Sequence, residues 1–176
     1  MLSSGSVARY VLPPPVFALR ELTSTECNSA GGQLGHLAVL AAKLARMRRA
    51  LKEQSDSFEK FYSEAAQVGT TSAELEELAD VLLGMERQAA AESFEQAEGL
   101  KRFVAKHPRT NFARSLKRSA AEALEIIRTW IELHQNLRIL FLKLASERRA
   151  AAGETASPVF SDPDAMEKYL RRIAEG

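Results

Sequence analysis

Cysteine, clustered histidine and strand-like patterning are nearly absent from this chain, and each absence closes off a kind of chemistry. A single cysteine, Cys27, excludes an internal disulfide and any cysteine-based zinc site, and it fits a reducing compartment. No histidine or basic cluster flanks Cys27 to lower its thiol pKa, so nothing marks it as reactive. None of the histidines, His36, His107 and His134, has a glutamate three residues before it, and no His-x-x-x-His or Cys-x-x-Cys occurs. Carboxylate-bridged metal pairs in helix bundles rely on Glu-x-x-His, so that chemistry is excluded. No glycine-rich phosphate loop follows a strand pattern, and no Gly-x-Ser-x-Gly elbow presents a nucleophile. Proline and glycine are few, at 6 and 9, and net charge is only +1, so bulk composition argues for neither nucleic acid nor membrane. The expectation is a protein that is not an enzyme, with no catalytic, cofactor or metal residues and no small-molecule substrate.

What is present is helical periodicity. The stretch 126–145 holds twelve apolar residues out of twenty, interrupted by Arg128, Glu132, His134, Arg138 and Lys143. Those charges exclude a membrane span, which needs about twenty nearly uncharged residues. Leu116, Ala120, Ala123, Ile127, Trp130, His134, Leu137, Phe141 and Leu144 alternate steps of four and three, the spacing of packed helices. Leu124, Ile126, Ile131, Leu133 and Leu140 widen the stripe enough to face two neighbours. His134 on this seam reads as a buried histidine hydrogen-bonded to a neighbouring helix rather than a ligand.

A first helix is expected over about 33–68. Its seam is Leu37, Leu40, Leu44, Met47, Leu51, Gln54, Phe58, Phe61, Ala65 and Val68, with Gly69 as its stop. Gln54 reads as a partly exposed seam position. Thr71 and Glu74 form a capping box for a second helix over 71–106, which Pro108 ends. Its seam slips by four residues near Ser93, and Ala89–Ala91, Ser93 and Gly99 are small enough for a close helix approach. Thr110 or Asn111 caps a third helix, giving 110–152 in all, before Gly153. Short connections make consecutive helices antiparallel, so the expected fold is an all-α, up-down-up bundle of three long helices over 33–152. In architecture alone this resembles antiparallel three-helix coiled coils such as spectrin repeats.

Two flanking segments complete the plan. Residues 1–32 form an irregular arm in which Pro13–Pro15 favour an extended path. The arm's acid-poor first twenty residues fit a mitochondrial presequence loosely, but the triple proline would break a targeting helix. A reducing intracellular location is expected, the mitochondrion among the alternatives. The arm carries Tyr10, Leu12, Val16 and Phe17, more apolar weight than a solvated tail needs, and these four are expected to anchor a partner subunit. Residues 153–176 comprise a loop and a short helix, capped by Asp162, with a stripe of Met166, Tyr169, Leu170 and Ile173. That stripe is expected to cover Ile139 and Leu142 on the outer side of the third helix.

Charge is separated along the chain. Residues 36–52 carry Lys43, Arg46, Arg48, Arg49 and Lys52 with no acid, and 95–118, including Arg114, Lys117 and Arg118, carry a further net +5. Residues 53–94 hold ten acids against Lys60 and Arg87. Folding up-down-up gathers the basic stretches at one end, an expected patch for an anionic partner. The function expected is that of a structural or interaction protein, an accessory subunit docking into a larger assembly through its arm and charged surface. The alternatives are a membrane-surface helical protein of the BAR type and nucleic-acid binding by the basic end.

Overall fold

The computed structural model of the chain describes residues 9–15, 29–67, 69–106 and 110–153. Nearly all of these are helical, with no strand among them. Three long helices, α1 (Ala30–Gln67), α2 (Ser72–Lys106) and α3 (Asn111–Ala151), form a helical bundle in which α3 packs against both others. The expected C-terminal helix, the Pro108 stop and the seam position Val68 lie outside the described residues.

Local chemistry sets most of the helix ends. The Thr71 hydroxyl accepts from the Glu74 amide at 3.2 Å, and the Glu74 carboxylate accepts from the Thr71 amide at 2.9 Å, closing the capping box. Thr110, not Asn111, caps α3, its hydroxyl accepting from the Ala113 amide at 3.1 Å. Gly153 ends α3 with a left-handed φ of 73°. Two ends differ from expectation. α1 starts at Ala30 and runs through Gly31 and Gly32, because the Ser29 hydroxyl caps it by accepting from the Gly32 amide at 2.9 Å. Gly69 is not left-handed, since Gly153 is the only positive-φ glycine among the described residues. The last carbonyls of α1 are instead satisfied from across the bundle: the Arg148 guanidinium donates to the Ala65 and Ala66 carbonyls at 3.0 and 3.1 Å, and to the Thr70 carbonyl.

The seams are buried as their spacing requires, in two clusters. In the first, Leu137, Phe141 and Ala145 of α3 meet Phe58, Phe61 and Ala65 of α1 and Leu75, Leu78 and Leu82 of α2. The second joins Leu40, Leu44 and Met47 of α1 to Phe112, Leu116, Ala120, Ala123 and Ile127 of α3, and α2 adds only the half-buried Phe103. Among the described side chains of α2, none after Ala89 is fully buried. Gly99 does not serve a close helix approach, since within 4 Å of a Cβ built on it lies only Arg102 of the same helix, whereas Ala89 is buried. Leu142 is buried rather than outward, while Ile139 is exposed.

Candidate functional site

The described part of the arm, residues 9–15, lies on the protein's own bundle. Arg9 and Tyr10 are helical, and residues 11–15 have no regular structure. Tyr10 is buried in the first core cluster, its ring stacked on Phe61 at 4.6 Å and an interplanar angle of 7°. Its hydroxyl donates to the Glu64 carboxylate, and that bond, with burial, holds the phenol above its usual pKa. Gln54 fixes the backbone. Its amide nitrogen donates to the Tyr10 carbonyl at 2.7 Å while its amide oxygen accepts from the Leu12 amide at 2.7 Å. The Ser57 hydroxyl adds a second donor to the Tyr10 carbonyl at 2.9 Å. A primary amide has one donor side and one acceptor side, so Gln54 can pair with a carbonyl and an amide of this backbone at once.

This placement departs from the expectation of an arm offered to a partner subunit. Tyr10 is committed to the chain's own core, Leu12 is half-buried, and Val16 and Phe17 lie outside the described residues. It also corrects the reading of Gln54, which is fully buried with both ends of its amide satisfied. Gln54, Ser57 and Glu64 are the residues that sequence reasoning missed. The one signal for them was a lone glutamine on an otherwise apolar seam.

Midway along the bundle sits a polar layer. His134 is buried, with its Nδ1 2.9 Å from the Trp130 carbonyl of its own helix and its ring edge-on to Phe58 at 4.9 Å. Its polar partner is therefore on α3 itself rather than on a neighbouring helix. Burial pushes its pKa below the usual histidine value, and the backbone bond opposes this only in part. Beside it, the Arg138 guanidinium forks onto Glu86 of α2 at 2.8 and 3.2 Å, both side chains nearly closed to solvent. These groups bond to one another and to the backbone, leaving the buried Arg138 Nη1 without a partner, and the Arg138–Glu86 pair joins α3 to α2.

The basic stretches meet at the other end. His36 packs edge-on against Phe112 at 6.1 Å, and Arg48 pairs with Glu122 at 2.5 Å, setting the first half of α1 beside the first half of α3. Several cations are engaged locally: Lys52 with Asp56 at 3.1 Å, Arg114 with Asn111 at 2.8 Å and Lys101 with Glu98 at 2.7 Å. The Lys101 ammonium holds the Glu98 carboxyl below its usual range. Lys43 is half-buried. Arg46, Arg49, Lys117 and Arg118 are exposed and make no ion pair among the described residues. The opposite end is less acidic than α1 and α2 suggest. There α3 brings Arg128, Arg138, Lys143, Arg148 and Arg149 against Glu132 and Glu147, and Arg149 pairs with Glu76.

Comparison of the chain with protein-family models, with curated proteins and with solved structures finds no match.

Proposed function

We propose that the three helices run up, down and up, and that the chain is a non-enzymatic interaction protein. In this reading it is an accessory subunit that docks onto an acidic face of a larger protein assembly through its basic end. The helix directions are supported by pairs that span the bundle. His36 with Phe112 and Arg48 with Glu122 join early α1 to early α3, while the Arg148 bonds to Ala65 and Ala66 join their late turns. Arg138 with Glu86 and Arg149 with Glu76 join late α3 to early α2.

One observation carries the docking surface. At the far end Arg138 is used on Glu86, Arg149 on Glu76 and Arg148 on backbone carbonyls, leaving Lys143 exposed. At the basic end four cations, Arg46, Arg49, Lys117 and Arg118, stand in solvent with no such partner among the described residues. Clustered exposed charge of one sign contributes little to the fold and speeds encounter with the opposite sign.

The test is capture of partners by the tagged full chain from its native source, beside a variant with Arg46, Arg49, Lys117 and Arg118 all changed to Glu. Arg48 is left intact because it already pairs with Glu122. The native chain should hold a defined set of proteins that is lost as the Debye length shrinks from about 10 Å at 0.1 M salt to about 3 Å at 1 M. The variant should lose the same set with an unchanged melting curve. Retention of the partners by the variant would overturn the reading. So would tight binding to anionic vesicles or nucleic acid with no protein partner.

A further inference from the structure

We propose that the first half of α1 carries a second, outward seam, and that a helix of the partner protein packs there, apolar on one face and acidic beside it. The inference rests on the reading of the basic end as a docking surface and names what seats on it. Leu34, Ala38, Ala41 and Ala45 follow steps of four, three and four, the spacing of packed helices, and fall within about 60° round α1. All four are exposed, Leu34 by 67%. They stand about 120° round the helix from Leu40, Leu44 and Met47, which meet α3 in the second core cluster. From Ala30 to Ala42 the helix has no Asp, Glu, Lys or Arg on any face. Val39, at 52% exposure, adds a further apolar side chain beyond the seam. A helix apolar on all sides is one that is covered on all sides, yet α3 covers only one side of this stretch and α2 adds only Phe103 to that cluster.

The charges around the seam specify the occupant. Arg49 follows Ala45 by one turn on the same side, and Arg46 stands between Ala45 and the Val39 edge. On the other edge Arg48 bonds to Glu122, and Arg118 lies one turn before Glu122 on α3. Arg46, Arg49 and Arg118 are exposed and have no ion pair among the described residues, so a helix with carboxylates flanking its apolar stripe satisfies seam and cations together. A second copy does not. Paired antiparallel through the seam, Arg46 would face residue 33 and Arg49 residue 30, and no acid lies anywhere in 27–52. A parallel pairing sets arginine on arginine. A lipid surface is matched less well, because faces that seat in lipid carry bulky Leu, Phe or Trp, and three of these four positions are alanine. Alanine instead lets another helix axis approach to about 8 Å.

The full chain with the photoreactive residue p-benzoylphenylalanine in place of Ala42, which is exposed beside the seam, tests the contact in the native source. The same residue in place of the exposed Gln135 of α3 is the control. Position 42 should link to a protein segment that carries apolar residues at helical steps with Asp or Glu beside them, and position 135 should not. The yield should fall at least about tenfold when Arg46→Glu and Arg49→Glu are added, because like charges then face each other. Leu34→Gln with Ala45→Gln, both at exposed positions, should weaken the same link and leave the melting curve unchanged. Links from position 42 to its own chain, to a second copy, to lipid or to a segment without acids would overturn the proposal, and so would the absence of any link. If the glutamine pair keeps partners that reversal of Arg46, Arg49, Lys117 and Arg118 releases, the basic end docks and the seam on α1 does not.

Discussion

Gln54 has no choice of partner. It sits where α1 must bury a side chain, and its amide is satisfied only by the arm's Tyr10 carbonyl and Leu12 amide. Gln54→Leu keeps the shape but strands the part-buried Leu12 amide, so it should cost about 1 kcal/mol or more in a urea melt. A cost within experimental error would mean that the arm is not held there in solution. His134 supports a second prediction. Its folded pKa is depressed, so the native state holds it neutral while the unfolded chain binds a proton below about pH 6.5. The stability it contributes is present above the unfolded value and is lost as pH falls through that value toward the folded one. His134→Phe should therefore show a smaller loss of stability between pH 7.5 and 5 than the native protein. Parallel losses in the two proteins would remove His134 from the acid response.

Within the elements, the seam of α3 and the pair that ties it to α2 differ in what they contribute. Leu137 is buried and Arg128 is exposed beside Glu132, so Leu137→Ala should cost about 2–5 kcal/mol and Arg128→Ala no more than about 0.5. Equal effects would dissolve the seam assignment. Glu86→Ala leaves the Arg138 charge buried alone and should cost about 3–5 kcal/mol, whereas Glu86→Met with Arg138→Met should cost far less. At this scale the fold was largely legible. Four-three spacing is a local property, and so are the hydroxyl caps at Thr71 and Thr110, each written within a few residues. The start at Ser29 was obscured by Gly31 and Gly32, which weaken a helix interior yet are tolerated in a capped first turn. Gln54, Leu142 and the Arg148 cap on α1 depend on which neighbour lies across the bundle, and no local pattern encodes that. The same holds for Tyr10, whose apolar character showed that it would be covered but not by what.

For the whole molecule, charge separation in the sequence survives at one end only. Early α1 and early α3 stand together with exposed arginines and lysines, while late α3 brings cations that partly neutralise the acids of α1 and α2. Surface potential should accordingly be one-sided, and salt should weaken partner capture by the basic end without moving the unfolding midpoint of the isolated chain. A large salt effect on that midpoint would instead place those cations in the fold's own electrostatics.

Tyr10 packs in a cluster drawn from all three helices, although it lies early in the sequence. Its ring stacks on Phe61 and its hydrogen bonds run to α1. The cluster that buries it also draws on α2 and α3, so its burial is expected to be completed only after the main barrier to folding. Tyr10→Ser should then speed unfolding and leave the refolding rate nearly unchanged, shifting one arm of the chevron alone. A slowed refolding arm would place the residue in the nucleus instead. A chevron of that form would make the arm the last piece on and the first piece off, setting how long the folded molecule persists rather than how fast it forms.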